Sequence, residues 1–141
     1  MMISEIITRL SKLDAPDRGM DAEIEVAVRR IEAARSGLAE EYWANWQASP
    51  DGTVYDPHTR YSSNPFTASV DAVIALAARV LPGWYWGITQ GDDGEDAMEF
   101  QGNVWPSIQP YPAELEQYGY HKFPAIALLI ALLRAKETAN A

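Results

Sequence analysis

Trp84-Tyr85-Trp86-Gly87-Ile88-Thr89 is the stretch whose reading decides the fold. Side chains alternate across a strand, so Trp84, Trp86 and Ile88 share one face while Tyr85, Gly87 and Thr89 share the other. Gln90 to Gly94 reads as a turn, and a return strand over about 95–101 places Met98 and Phe100 beside the tryptophans, giving an antiparallel hairpin. Upstream, Val70, Val73, Ile74, Ala77 and Leu81 recur at helical spacing behind a cap at Thr67 or Ser69, and Pro82-Gly83 stops that helix. Farther back, Asp21 is expected to cap a helix with Ile24, Val28, Ile31, Ala34 and Leu38 on its apolar stripe. Its opposite side carries Arg29, Arg30 and Arg35 and reads as a solvated face with i,i+4 charge pairs. Ile3, Ile6, Ile7, Leu10 and Leu13 mark a shorter first helix, ended by Asp14, Pro16 and Gly19. The last helix opens with Pro124, is apolar almost all round and should be the most buried, with Arg134 and Lys136 suiting its C-terminal end. The expected class is α+β: a small antiparallel sheet, made of the hairpin near 84–101 plus one or two short strands, layered by about four helices.

A length of 141 residues fits one domain over 1–141. Within it, 43–65 is a long connection rich in turn-forming clusters, among them Asp56-Pro57-His58, with room for a short strand near Thr53 to Tyr55. The absence of cysteine excludes thiolate nucleophiles and thiolate metal sites. The net charge is −9, and no third of the chain is basic: six basic and nine acidic groups lie in 1–42, two and three in 43–90, three and eight in 91–141. That field disfavours duplex nucleic acid and anionic membranes, whereas a few well-placed cations in a pocket could still hold a small anion. The longest apolar run, Phe123 to Leu133, has eleven residues, short of the about 20 that cross a bilayer. No secretory signal pattern is visible at 1–20, so a cytoplasmic location is expected.

No Walker loop, Gly-x-Gly-x-x-Gly, Gly-x-Ser-x-Gly or His-Glu-x-x-His motif occurs. Asp56-Pro57-His58 could be an acid–base or ligand pair, or simply a turn. Asp92-Asp93-Gly94-Glu95-Asp96 could attract Ca²⁺, though its spacing is not that of a calcium loop and an acidic turn explains it as well. The five Trp and seven Tyr are more informative, because they gather in 42–61, 84–86 and 105–120. Aromatic rings near Arg60, His121 and Lys122 are the residue mix that stacks a nucleobase and holds its phosphate; the competing readings are core packing and a protein interface. Hydroxyls around Thr67 and Ser69 suit either an anion at a helix N-terminus or ordinary capping. The candidate ligand-binding set is therefore Arg60, Tyr61, Thr67, Ser69, Trp86, Trp105, His121 and Lys122, with no catalytic residue, metal or cofactor assigned.

Several patches also resemble a known group. Ile6-Ile7-Thr8-Arg9-Leu10, Ala15-Pro16-Asp17-Arg18 with Asp21-Ala22-Glu23-Ile24, Phe66-Thr67-Ala68-Ser69-Val70-Asp71-Ala72 leading to Leu81-Pro82-Gly83-Trp84, and Pro124-Ala125-Ile126-Ala127-Leu128 with Leu133-Arg134-Ala135 occur in an order similar to small prophage proteins of the phage ABA (alpha-beta-alpha) sandwich type. The chain departs from that group at Gly19 and in the length of 29–60. The resemblance implies a layered α/β sandwich and a phage origin, and no established activity.

Together these readings lead to an expected function: non-enzymatic binding of a small anionic, nucleotide-like ligand, sequestering a cyclic nucleotide or ADP-ribose-derived immune signal against host defence. Two stacked bases at about 1–3 kcal/mol each and three charge-assisted hydrogen bonds at about 1.5–3 each give roughly 6–15 kcal/mol gross. Nanomolar capture needs about 12 net, so a homo-oligomer with shared or closed pockets is expected. The alternatives are an acidic protein-interaction module and, with less support, a small hydrolase using His58 or His121 with Asp56.

Overall fold

A computed structural model describes residues 2–37, 45–91 and 99–139, and among these residues the chain forms two small antiparallel sheets and four α-helices, an α+β fold. The first sheet joins β1 (Gln47–Ala48), β2 (Thr53–Tyr55) and β3 (Arg60–Ser62) in that order. The second joins β4 (Tyr85–Gln90), β5 (Phe100–Trp105) and β6 (Gln117–His121). The helices are α1 (Ile3–Ser11), α2 (Arg18–Arg35), α3 (Val70–Val80) and α4 (Pro124–Ala139), with a 3₁₀ turn at Ala113–Leu115.

The hairpin forms, with a shifted return strand. β5 starts at Phe100 instead of about 95, and Trp86 pairs with Val104, Ile88 with Gly102 and Gln90 with Phe100. Phe100 thus shares the face of Trp86 and Ile88, as the alternation requires. Met98 and the acidic run 92–96 lie outside the described residues. The third strand, β6, has no counterpart in the reading of the sequence, because prolines and Gly119 mask a five-residue alternation. The segment read as a long connection supplies the whole first sheet, in which β2 coincides with the strand placed at Thr53 to Tyr55.

Asp17, not Asp21, caps α2: its carboxylate accepts from the Met20 N–H at 2.8 Å. Asp21 is buried and has another duty. It accepts from the backbone N–H and the hydroxyl of Thr67, both at 2.8 Å, and from Arg18 at 2.8 Å, tying the start of α2 to the segment leading into α3.

The core is built around α4, in which Ala125 to Leu133 are all buried. Its backbone rests directly on the second sheet. A Cβ on Gly102 would meet Leu128 Cα at 2.5 Å, and one on Gly119 would meet the Ala127 carbonyl oxygen and, at 2.8 Å, the Ala131 nitrogen. Only glycine permits that approach. α1 and α3 also pack against α4, α2 packs on α1, and β1 and β2 lie on α2. The helices therefore stand between the sheets, and among the described residues no helix or strand covers the other face of the second sheet, where Tyr85, Tyr118 and Tyr120 are exposed. Among the described residues no helix is long and apolar enough to cross a membrane.

Gly119→Ala is expected to destabilise by about 3 kcal/mol or to prevent folding, since the added methyl meets backbone on both sides. Urea denaturation of the variant against the parent measures this; a loss below about 0.5 kcal/mol would show that α4 is not seated this closely.

Candidate ligand site

The eight residues singled out in the sequence do not form one site. Arg60 and Tyr61 belong to the first sheet, Thr67 and Ser69 precede α3, and Trp86, Trp105, His121 and Lys122 belong to the second sheet or its edge. Thr67 is buried, donates to Asp21 Oδ1 and accepts the Asp17 N–H, both at 2.8 Å. Ser69 caps α3, its hydroxyl accepting from Ala72 N–H at 3.1 Å. His121 is buried, donating from Nε2 to the Leu13 carbonyl at 2.9 Å and accepting the Phe123 N–H on Nδ1 at 3.0 Å. These three side chains hold the fold together. Lys122 pairs with Asp14 at 3.6 Å, and Trp86 and Trp105 lie on opposite faces of the second sheet.

Of the basic face on α2, Arg35 is exposed and Arg29 makes an i,i+4 pair with Glu25 at 3.8 Å, while Arg29 and Arg30 also meet the first sheet. The Arg29 guanidinium lies 4.7 Å from the Tyr61 ring centroid and 5.6 Å from that of Trp46, and Arg30 donates to the Trp46 carbonyl at 2.7 Å. The first sheet packs over them because its inner face offers rings to cations. Burial, then the nearby Glu25 carboxylate, pushes the Tyr61 phenol up.

On the outer face of the same sheet, a groove of about 550 Å³ brings Arg60 and Tyr55 together with Asp51, Asp56 and His58. Hydrogen bonds from Thr53 lower the Asp51 pKa, and those from the His58 and Thr59 backbone lower that of Asp56. Asp56 is thereby committed to its turn, with Oδ1 accepting His58 N–H at 2.7 Å and Thr59 N–H at 2.8 Å. Two fixed carboxylates against one guanidinium make this groove unsuited to a phosphate.

A different cavity gathers cations. It measures about 530 Å³ and lies where the C-terminal turns of α2, α3 and α4 meet, walled by Arg35, Arg79, Lys136, Leu81, Pro82 and Trp84, with Glu32 at its side. Three helix ends present carbonyls there, which explains why basic side chains collect. Arg79 is fully engaged: its Nε lies 3.1 Å from both Glu32 oxygens and its Nη1 2.6 Å from Glu25 Oε1. Glu32 and then Glu25 hold that guanidinium charged against the cost of burial. Arg35 is exposed and has no ion-pair partner among the described residues.

Lys136 is the unusual member. It is 4% exposed, and among the described residues its one hydrogen bond is donated to the Val80 carbonyl at 3.3 Å. An ammonium carries three donors, so two face no acceptor among the described residues. Burial, reinforced by Arg35 and opposed by Glu32, lowers its pKa from the ordinary 10.5. The sequence signal was limited to basic residues near helix ends; that three such ends converge on Trp84 is tertiary information. Among the described residues no cluster of His, Asp and Glu is placed to hold a metal.

No family model, curated protein or solved structure matches the chain, so the likeness to phage proteins carries no argument about this site.

Two outcomes follow from the charges. Arg79→Ala leaves the buried Glu25 with Arg29, 3.8 Å away, and the Tyr61 hydroxyl at 3.5 Å, and is expected to cost about 2–3 kcal/mol in urea denaturation, much of it recovered by pairing Arg79→Leu with Glu25→Leu. Lys136 has a folded pKa below its unfolded value, so its burial lowers stability at neutral pH, and the cost fades as pH rises through the lowered pKa toward 10.5. Lys136→Met is expected to raise Tm at pH 7, with the gain vanishing above about pH 10.5; a lower Tm at pH 7 would show that the ammonium is well compensated.

Proposed function

We propose that the chain is a non-enzymatic binding protein for a small, ring-bearing anion of the nucleotide kind, held where α2, α3 and α4 end. The observation that carries this reading is Lys136, a buried ammonium with no carboxylate partner among the described residues, in the wall of a cavity that also presents Arg35 and Trp84. A phosphate between Lys136 and Arg35 would accept the idle donors, while Trp84 offers a surface for a flat ring. The cavity volume lies within the range of small-molecule sites.

Magnitudes limit what one subunit can do. Two charge-assisted hydrogen bonds at about 1.5–3 kcal/mol and one stacked ring at about 1–3 give roughly 4–9 kcal/mol before ordering costs. Nanomolar sequestration of a scarce signal needs about 12. Tight capture of a cyclic nucleotide or ADP-ribose derivative, the role anticipated for a phage protein opposing host defence, therefore requires a second copy to close the site.

The test is to incubate the protein with cyclic and ADP-ribose-derived nucleotides, then heat-denature it and analyse the released material. Intact ligand is expected; altered ligand would indicate an enzyme, and no depletion across the panel would overturn the reading. Lys136→Met and Arg35→Ala should each weaken binding by about tenfold or more, while Arg60→Ala and Lys122→Ala leave it unchanged. Because Lys136→Met is expected to fold more stably than the parent, its loss of binding would not be confused with unfolding.

A further inference from the structure

The uncovered face of the second sheet carries an ordered set of side chains. Strand register places Tyr85 opposite Trp105, with Glu116 next on the third strand's lead-in; Gly87, Asn103 and Tyr118 form the middle row; Thr89, Gln101 and Tyr120 form the last. Tyr85 and Trp105 contact each other with centroids 5.9 Å apart and rings tilted by 42°. Tyr85 and Tyr120 are each 54% exposed and Tyr118 38%. Four aromatic rings thus surround a polar centre. Gly87 keeps that centre open, since a Cβ there would lie 2.8 Å from Asn103 Oδ1.

We propose that this face is a platform for a short neutral oligosaccharide. Charge gives the first argument. β4, β5 and β6 contain no Lys or Arg; of the two carboxylates that strand alternation places on this face, Glu99 continues the row of Gln101, and Glu116 is already occupied by Asn103 Nδ2 at 3.2 Å and the Tyr111 hydroxyl at 3.1 Å. On a chain of net charge −9, such a surface has nothing to hold a phosphate or an acidic peptide. Chemistry gives the second. Pyranose rings present C–H faces that lie against aromatic rings and rims of hydroxyls that pair with amides. Asn103 Oδ1 and the Gln101 and Thr89 side chains have no hydrogen-bond partner among the described residues and are available to those hydroxyls.

Area separates this occupant from a second copy of the chain. Three strands of five or six residues cover about 20 Å by 14 Å, or about 280 Å², well below the about 800 Å² per partner of a stable protein interface. A protein interface would also place apolar groups at its centre, where this face has Asn103 and a glycine. The footprint matches about three sugar rings in a row.

Titration of maltotriose, cellotriose and triacetylchitotriose into the ¹⁵N-labelled full chain reads the proposal directly. At least one is expected to shift resonances confined to β4, β5 and β6, with a dissociation constant at or below about 1 mM. Tyr120→Ala, at an exposed position, and Trp105→Ala should each weaken it by about tenfold, and Lys136→Met should not change it, which separates this site from the anion cavity. No shift with any of the three at about 10 mM, or shifts that survive Tyr120→Ala, would overturn the proposal. Self-association abolished by Tyr120→Ala would overturn it in favour of a second copy.

Discussion

The contact between the backbone of α4 and the second sheet is the constraint from which the rest of the architecture follows. Two glycines on adjacent strands, Gly102 and Gly119, are directly paired and let the helix sit against main chain instead of side chains. A helix seated that deeply has little surface left for water, which is why Ala125 to Leu133 are apolar without periodicity. What remains of its circumference is covered by α1 and α3, and those helices in turn bring α2 and the first sheet into place. The same seating gives the second sheet one buried face and one open face, so its aromatic side chains on the open side are not core.

Charge pairs perform the joining that apolar packing does not reach. Asp21 ties α2 to Thr67, and Glu25 and Glu32 tie α2 to Arg79 at the end of α3. Arg29, on the same helix, turns the other way and meets the rings of Tyr61 and Trp46. A single helix of mixed charge thus faces a second helix through carboxylates and a small sheet through guanidinium groups. Buried ion pairs of this kind contribute little net stability, but each fixes one relative placement, because a misplaced partner leaves a charge without compensation.

How far the sequence could be read depended on whether the signal was local. The helices were legible because Ile3 to Leu13 and Val70 to Leu81 repeat at helical spacing, and β4 because its residues alternate. The β6 strand was hidden, since Tyr118-Gly119-Tyr120 follows prolines and its glycine is explained only by the helix above it. The first sheet was hidden because strands of two or three residues between turn clusters have no periodicity to detect. Among candidate site residues, hydroxyl and imidazole chemistry was visible at Thr67, Ser69 and His121, but whether those groups face ligand or protein depends on partners up to 108 positions away. Arg35, Trp84 and Lys136 carry no common local pattern, and only the convergence of three helix ends puts them around one cavity.

That convergence sets the energetics of the anion cavity. Helix C-termini repel anions, so the proposed anion binding requires that the cavity's cations outnumber what the carbonyls and Glu32 neutralise. Arg79 is spent on Glu25 and Glu32; Arg35 and Lys136 supply the surplus. Lys136 bears the cost, being buried beside a like charge that lowers its affinity for a proton. An anion reaching it would reverse both terms, restoring the proton and offsetting the desolvation already incurred in folding. On the proposed reading, ligand binding and stability are linked through one side chain: burial of the Lys136 ammonium is destabilising at neutral pH, and a bound anion would stabilise the protein by relieving that cost as well as by mass action.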